Sequence, residues 1–236
     1  SRKGGALWIF DPEKDSFLEK KNMAWHKARR RLFLEMVPQA EALYADRLLG
    51  YEPAGFPGSF MNPLLALGRP MGGGARKGST HVVSLGDLEG RELGGSITLG
   101  FYGKLIVDRP GPDFVVFENA FDIASGGRFC EVAFVEVSQD GHTWVSFPWS
   151  INERFSLSDP RRYEGLAGTE PTFSCFDPQQ VCYFPVDASD LAAGGNRFDL
   201  ATVGLKWVRY VRIVDAGTLL EDSSSGAFFR ERGADI

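Results

Sequence analysis

Residues 81–215 form a succession of short apolar runs, each bounded by Gly, Pro, Asp or Asn. The runs are rich in Val, Ile, Phe and Thr, which are residue types that favour strands. No helical pattern of about ten or more residues lies between them, so a parallel sheet with crossover helices is not expected. The chain is therefore predicted to be mainly β, with an antiparallel β-sandwich or barrel. The predicted strands are HVVSLG (81–86), GSITLGF (95–101), KLIVD (104–108), DFVVFENAF (113–121), CEVAFVEVS (130–138), TWVSFP (143–148), RFDLATVG (197–204) and WVRYVRIVD (207–215).

The composition and one dipeptide support the same fold class. The 236 residues include 28 Gly, 13 Pro and 19 Phe, a composition typical of short strands joined by tight turns. Asp140 and Gly141 lie between the runs VEVSQ and HTWVSF, and both residue types tolerate the positive φ of a hairpin turn. We therefore predict a β-hairpin at this position.

The N-terminal part differs from the rest, and we assign residues 1–40 to an extension and residues 41–236 to the sandwich domain. Apolar residues recur with helical spacing over 15–36, with Lys and Arg between them, as in an amphipathic α-helix that ends before Pro38. This helix requires a partner surface, which is either the main domain or another subunit. Its apolar positions are Leu18, Trp25, Ala28, Leu32 and Met36.

The charge of the chain argues against a binder of nucleic acid, which needs a strong positive field. The net charge is −5 and the isoelectric point is about 5.3. The basic block HKARRR (26–31) is local and fits the solvated face of the predicted helix. No apolar run approaches the roughly 20 residues that would cross a bilayer. Residues 1–5 lack the apolar centre of a signal peptide, so the chain has the features of a mature or trimmed form.

A set of segments in the order YADRLLGYEPA, NPLLALGRP, VVSLG, GGSITLGF, KLIVDRPGPDFVVFENAF, FCEVAFVEVSQDGHTWVSFP, GLAGTEPTF, AAGGNRFDLATVGL and VRYVRIVD occupies most of residues 43–215. As a set they resemble a group of bacterial and archaeal exported cell-surface proteins. The domain of that group belongs among the galactose-binding-like, or discoidin-like, jelly rolls. The most specific part of the resemblance is GGSITLGF followed by PGPDFVVFENAF and VEVSQDGHTWV.

The resemblance implies a jelly roll of about eight strands, with loops at one end and often a structural calcium ion. It implies binding of sugars, proteins or lipid headgroups, and it does not imply catalysis. Two features depart from the group. One is the N-terminal helix, and the other is Met71, which stands after a Pro where the resemblance predicts an Asp.

Oxygen-bearing side chains are concentrated in residues 108–122. Calcium takes roughly six to eight oxygen ligands from carboxylates, amides, backbone carbonyls and water. A strand that ends in Glu-Asn, with an Asp beyond it, supplies oxygens of the right kind. The alternative is that Glu118 and Asn119 bond to the backbone of loops and hold the rim of the sandwich. The candidate calcium ligands are Asp108, Asp113, Glu118, Asn119 and Asp122.

The long loop region at 148–190 carries aromatic and arginine side chains. An aromatic ring there can stack on a sugar ring while a guanidinium holds hydroxyls or a carboxylate. The alternative is that these side chains only cover the end of the sandwich. Cys175 and Cys182 of the same region could form a disulfide in an oxidising compartment. The candidate ligand-binding residues are Trp149, Arg161, Arg162 and Tyr163.

The sequence contains no recognisable catalytic arrangement. Glu131 and Glu136 lie an odd number of positions apart in one β-run, so they point to opposite faces and cannot form a catalytic pair. Neither G-x-S-x-G nor H-E-x-x-H is present. The stretch GRPMGGGARKG (68–78) lacks the phosphate-binding pattern and is predicted to be a surface loop.

The sequence therefore predicts a non-catalytic, exported cell-surface binding module for a carbohydrate or a protein partner. The alternative is a structural or assembly component of the cell envelope that docks through its N-terminal helix. Nucleic acid is not expected as a partner, and a transmembrane segment is not expected in this chain.

Overall fold

The helix predicted at 15–36 and the pair Cys175 and Cys182 lie outside the part of the chain that the structure describes. The computed structural model describes residues 43–55, 59–86, 94–173, 188 and 191–217.

The described residues are mainly β, and all their strand pairs are antiparallel. They contain no helix of seven or more residues. No helix in the described ranges has the length and apolar character that crossing a membrane would require. The strands are β1 (Arg47–Glu52), β2 (Ser96–Gly100), β3 (Ile106–Val107), β4 (Phe114–Val116), β5 (Phe121–Asp122), β6 (Arg128–Phe129), β7 (Ala133–Ser138), β8 (Val145–Ser146), β9 (Ser150–Ile151), β10 (Tyr163–Glu164), β11 (Asn196–Phe198), β12 (Trp207–Val208) and β13 (Tyr210–Asp215).

Five strands form one antiparallel sheet in the order β1-β2-β13-β7-β8. The alternating pattern of β13, YVRIVD, places Val211 and Ile213 on one face, because successive side chains of a strand point to opposite faces. The register sets Ile213 opposite Ile97 of β2 and Val135 of β7. All four side chains are buried. We call this the inner face of the sheet, and it forms one wall of the core.

Two short ladders, β4 with β11 and β3 with β12, contribute to the same core. Phe114 of β4 stacks on Phe198 of β11, with ring centroids 5.3 Å apart. Phe147, which follows β8, contacts Phe198 edge to face at 4.9 Å. Such aromatic pairs stabilise a core by about 0.5–1.5 kcal/mol beyond the area that they bury. Antiparallel sheets packed in this way fit a β-sandwich.

Most predicted strands are confirmed in part, and several are shorter than predicted. DFVVFENAF, for example, forms a strand only at Phe114–Val116 and again at Phe121–Asp122. The run RFDLATVG continues as a strand only to Phe198, and Leu200–Val203 form a 3-10 helix instead. Asp199 caps this helix by accepting the N–H of Ala201, and Gly204 ends it with φ +69°. In HVVSLG, Val83 is fully buried as a strand residue of the core would be, but the run is not one of the strands β1 to β13.

The hairpin predicted at Asp140 and Gly141 joins β7 to β8. Its loop is longer than a two-residue turn, since Val137 pairs with Val145. Gly141 has φ +79°, a left-handed conformation that residues with a Cβ adopt at a cost. Asp140 Oδ1 accepts the backbone N–H groups of His142 at 2.8 Å and Thr143 at 2.7 Å.

Candidate functional site

The face of the five-stranded sheet opposite the inner face, to which Arg212 and Val214 of β13 point, is called the outer face. An exposed tryptophan lies at this face. Trp149 lies between β8 and β9, and 43% of its surface is exposed. Its ring centroid lies 5.1 Å from that of Phe134, whose side chain is on the outer face of β7. The two rings form an apolar platform at one side of this face.

Charged and hydroxyl groups lie beside the platform because of the strand register. Arg212 of β13 is opposite Glu136 of β7, and Glu136 is opposite Ser146 of β8. The Arg212 guanidinium donates to Glu136 Oε2, and the Ser146 hydroxyl donates to Glu136 Oε1 at 2.8 Å. Arg212 also lies over the ring of Trp144, at 4.3 Å from the ring centroid. These contacts fix the guanidinium and the carboxylate in one arrangement.

The platform and the polar groups line one shallow depression of about 510 Å³. It combines a flat apolar surface with hydroxyl, carboxylate and guanidinium groups that can exchange hydrogen bonds with a ligand. This combination suits a ligand that has an apolar face and a polar rim. The residues that line the depression are Glu52, Gly94, Ser96, Phe134, Glu136, Ser146, Trp149, Arg212 and Val214.

The other three residues predicted to bind a ligand have different surroundings. Arg162 is buried and donates through Nη1 to the carbonyl of Phe155 at 2.8 Å. Tyr163 is also buried, and its hydroxyl donates to the carbonyl of Leu157 at 2.9 Å. Both side chains therefore hold the loop that precedes β10, which agrees with the alternative that they cover the end of the sandwich.

Arg161 is exposed and bound to its own loop. Its guanidinium lies 2.6 Å from Asp159 Oδ2 and stacks over the ring of Phe155 at 4.3 Å. The hydrogen bonds and the charge of Asp159 raise the pKa of Arg161, so the side chain is always cationic. Of the four predicted residues, only Trp149 lines the depression on the outer face.

The structure brings two of the predicted calcium ligands together with a third acid. Side-chain oxygens of Asp108, Asp113 and Asp199 lie within 4.8 Å of one another. Lys206 Nζ lies 2.7 Å from Asp108 Oδ2, and this contact raises the pKa of Lys206. Asp113 accepts the N–H of Leu200 at 2.8 Å through Oδ2. Protein groups therefore already bond to oxygens of this cluster.

The remaining predicted calcium ligands contact other parts of the chain. Asn119 Oδ1 accepts the N–H of Ser79 at 2.6 Å, which is the rim-holding role that the sequence left as the alternative. Asp122 pairs with Arg128 at 2.9 Å across the β5–β6 ladder. Glu118 is 3% exposed, and its backbone carbonyl accepts the hydroxyl of a threonine. Among the described residues, the three acids close enough to share one metal ion are Asp108, Asp113 and Asp199. Glu118 and Asp122 do not belong to this cluster.

A second cavity, of about 230 Å³, borders the core, is partly open to solvent and has mainly apolar walls. Its lining includes Ile213 of the sheet and Phe114 of β4. Burial lowers the pKa of His81 at its wall and raises the pKa of Tyr44 to about 12, so both side chains are neutral at pH 7. The cavity therefore offers chiefly apolar contacts, and it lacks the exposed platform of the outer face.

Phe134 and Arg212 were not predicted from the sequence as binding residues, and Glu136 was considered only as a catalytic acid. The signal was present in the alternation of AFVEVS and YVRIVD, because alternate residues of a half-buried strand must share the outer face. Which outer residues become neighbours depends on the pairing of β7 with β13, and the sequence does not show this pairing.

No protein-family model, curated protein or solved structure matches this chain. The resemblance to the galactose-binding-like group therefore depends on the sequence segments alone.

Proposed function

We propose that this chain is a non-catalytic carbohydrate-binding module that uses the outer face of its five-stranded sheet. The observation that carries the proposal is the exposed indole of Trp149 beside Phe134, in a depression that five polar side chains also line. Burying such a ring against a ligand yields roughly 1.5–3 kcal/mol, so an exposed platform of this kind favours binding.

The chemistry of a sugar ring is complementary to this surface. Its C–H groups form an apolar face that packs against an indole ring, and its hydroxyls form a polar rim. Arg212, Glu136 and Ser146 supply donors and acceptors for that rim. Because the three side chains are already held by one another, little conformational entropy is lost when a ligand binds.

The wider parts of the proposal are the jelly-roll topology of the galactose-binding-like group and an exported, cell-surface location. They are supported by the sequence segments of 43–215, which resemble that group as an ordered set. The mainly antiparallel fold also agrees with that group. A structural calcium ion near Asp108 and Asp113 is part of the same proposal.

The test is a binding measurement with the full chain on a glycan array, followed by titration calorimetry with the glycan that binds. We expect the wild-type protein to bind at least one glycan and to release it chemically unchanged. Trp149→Ala is expected to weaken binding by at least about tenfold, which corresponds to the lost burial of the indole ring.

The matched control is Tyr102→Ala. This variant removes an aromatic side chain that is 71% exposed and that contacts Arg47, away from the depression. It is expected to bind as the wild type does, and circular dichroism verifies that both variants fold. A protein that binds no glycan, or a Trp149→Ala variant with unchanged affinity, would contradict the proposal.

A further inference from the structure

The outer face aligns residues in a row across four strands of the sheet. Glu52 of β1 lies opposite Ser96 of β2, which lies opposite Val214 of β13. Val214 lies opposite Phe134 of β7, and Trp149 packs against Phe134. The aromatic platform and the Glu52 carboxylate therefore lie at opposite ends of one row, and both line the depression.

The length of this row exceeds a single sugar ring. From β1 to β7 there are three strand-to-strand spacings, which amount to about 14 Å at the usual separation of paired strands. A second row, which contains Arg212, Glu136 and Ser146, runs beside the first and lines the same depression. Groups that can contact a ligand are thus present along the whole distance. This geometry fits an extended chain of sugar units that crosses the strands.

The charge of the depression restricts the chemistry of those units. Its described lining contains two carboxylates and one guanidinium. The guanidinium of Arg212 is balanced by Glu136, to which it donates. Glu52 is exposed, and its carboxylate has no ion-pair partner among the described residues. A carboxylate accepts hydrogen bonds from neutral hydroxyls and repels an acidic sugar.

We infer that the ligand is a neutral oligosaccharide of several units, bound across the strands from Trp149 to Glu52. This inference rests on the proposed carbohydrate function and deepens it. Trp149 holds the ring at one end of the oligosaccharide, the pair of Arg212 and Glu136 contacts the middle, and Glu52 accepts hydroxyls at the far end.

The experiment measures affinity by titration calorimetry as a function of chain length. The neutral probes are linear gluco-, manno- and galacto-oligosaccharides of increasing length, and the acidic probes are oligogalacturonates of the same lengths. We expect the affinity for one neutral series to rise by at least about tenfold from the monosaccharide to the length that spans the row. Acidic chains are expected to bind more weakly, and the difference shrinks as added salt screens Glu52.

The Glu52→Ala variant tests the far end of the row. It is expected to weaken binding of the long neutral chains by about fivefold, the size of one lost hydrogen bond, and to leave the monosaccharide unaffected. Glu153→Ala, which removes another exposed glutamate, is the matched control and is expected to bind as the wild type does.

The outcomes separate the inference from the proposed function. If Trp149→Ala abolishes binding but the monosaccharide binds as tightly as the long chains, the carbohydrate function stands and the extended site is wrong. The same conclusion follows if acidic chains bind as tightly as neutral ones, or if Glu52→Ala leaves long chains unaffected. If no probe binds at all, the carbohydrate function itself is wrong and the inference fails with it.

Discussion

Asp140 shows how one carboxylate organises a turn. Its oxygens accept the backbone N–H groups of Thr143 and His142, together with the hydroxyls of Ser138 and Thr143. These hydrogen bonds, of which the Thr143 N–H bond has the largest effect, hold the pKa of Asp140 well below its usual range. The ionised carboxylate is thus favoured in the folded state over the unfolded one.

We predict that Asp140→Asn lowers stability at pH 7 and that the difference from the wild type shrinks in acid. The folded pKa is lower than the unfolded one, so the stabilisation is fully present above the unfolded pKa of about 4. It is lost as the pH falls through the folded pKa. Urea unfolding of both proteins at a series of pH values measures the effect. A difference that is the same at pH 7 and at pH 2 would contradict the prediction.

Single residues were predictable from the sequence where their role is local. The turn at Asp140 and Gly141 follows from the conformational preferences of those two residue types. The burial of Arg162 and Tyr163 was not predictable, because it depends on carbonyl acceptors that the folded loop supplies at Phe155 and Leu157. An arginine in a loop indicates a surface position until such an acceptor is known.

Strand β13 is the element on which both faces of the sheet depend. It pairs with β2 on one side and with β7 on the other, so it is the centre of the five-stranded sheet. Its residues alternate between the buried inner face and the half-buried outer face. The core and the candidate site are therefore built on opposite sides of the same backbone.

We predict that Ile213→Ala lowers the free energy of unfolding by about 2–5 kcal/mol, as is usual for a large apolar residue removed from a packed core. Val214→Ala is the matched control on the next residue, and it is expected to cost less because Val214 lies on the half-buried outer face. Chemical denaturation of both variants measures the difference. Equal losses for the two variants would show that the faces of β13 are wrongly assigned.

The candidate calcium site is formed by residues that flank two paired strands. Asp108 and Asp113 precede β4, and Asp199 follows β11. If calcium binds this cluster in the folded state only, a hundredfold excess over its dissociation constant stabilises the fold by about 2.7 kcal/mol. We predict that calcium raises the melting temperature of the metal-free protein by several degrees and that a chelator reverses the change. The measurement is differential scanning calorimetry.

Two variants locate the calcium effect. Asp113→Asn is expected to remove it, and Asp122→Asn is expected to retain it, because Asp122 bonds to Arg128 instead. A melting temperature that calcium leaves unchanged, in protein first verified to be metal-free, would eliminate the calcium hypothesis.

The sequence predicted the elements better than their ends. The centres of β2, β7 and β13 follow from runs of β-branched and aromatic residues. The end of β11 did not follow, because the cap formed by Asp199 and the left-handed Gly204 redirect the chain into a 3-10 helix. Strand β1 was also missed, since its sequence RLLGYE contains a glycine and shows no clean alternation.

At the scale of the whole molecule, the antiparallel character was predictable because no helical segment lies between the strands. The place of the candidate site was not predictable. The sequence directed attention to loops and to one acidic run, whereas the depression that gathers aromatic and charged groups lies on the outer face of the sheet. Its members come from five separate segments of the chain, and only the strand register makes Arg212 a neighbour of Glu136.

The outer face at Trp149 is proposed to bind carbohydrate. The most direct measurement is nuclear magnetic resonance of the indole N–H groups of the five tryptophans during titration with the glycan that binds. We predict that the Trp149 resonance, assigned through Trp149→Phe, shifts most and that Trp144 beside Arg212 shifts less. A glycan that binds with the Trp149 resonance unchanged, while Trp207 or an N-terminal tryptophan shifts, would show that the binding site lies elsewhere.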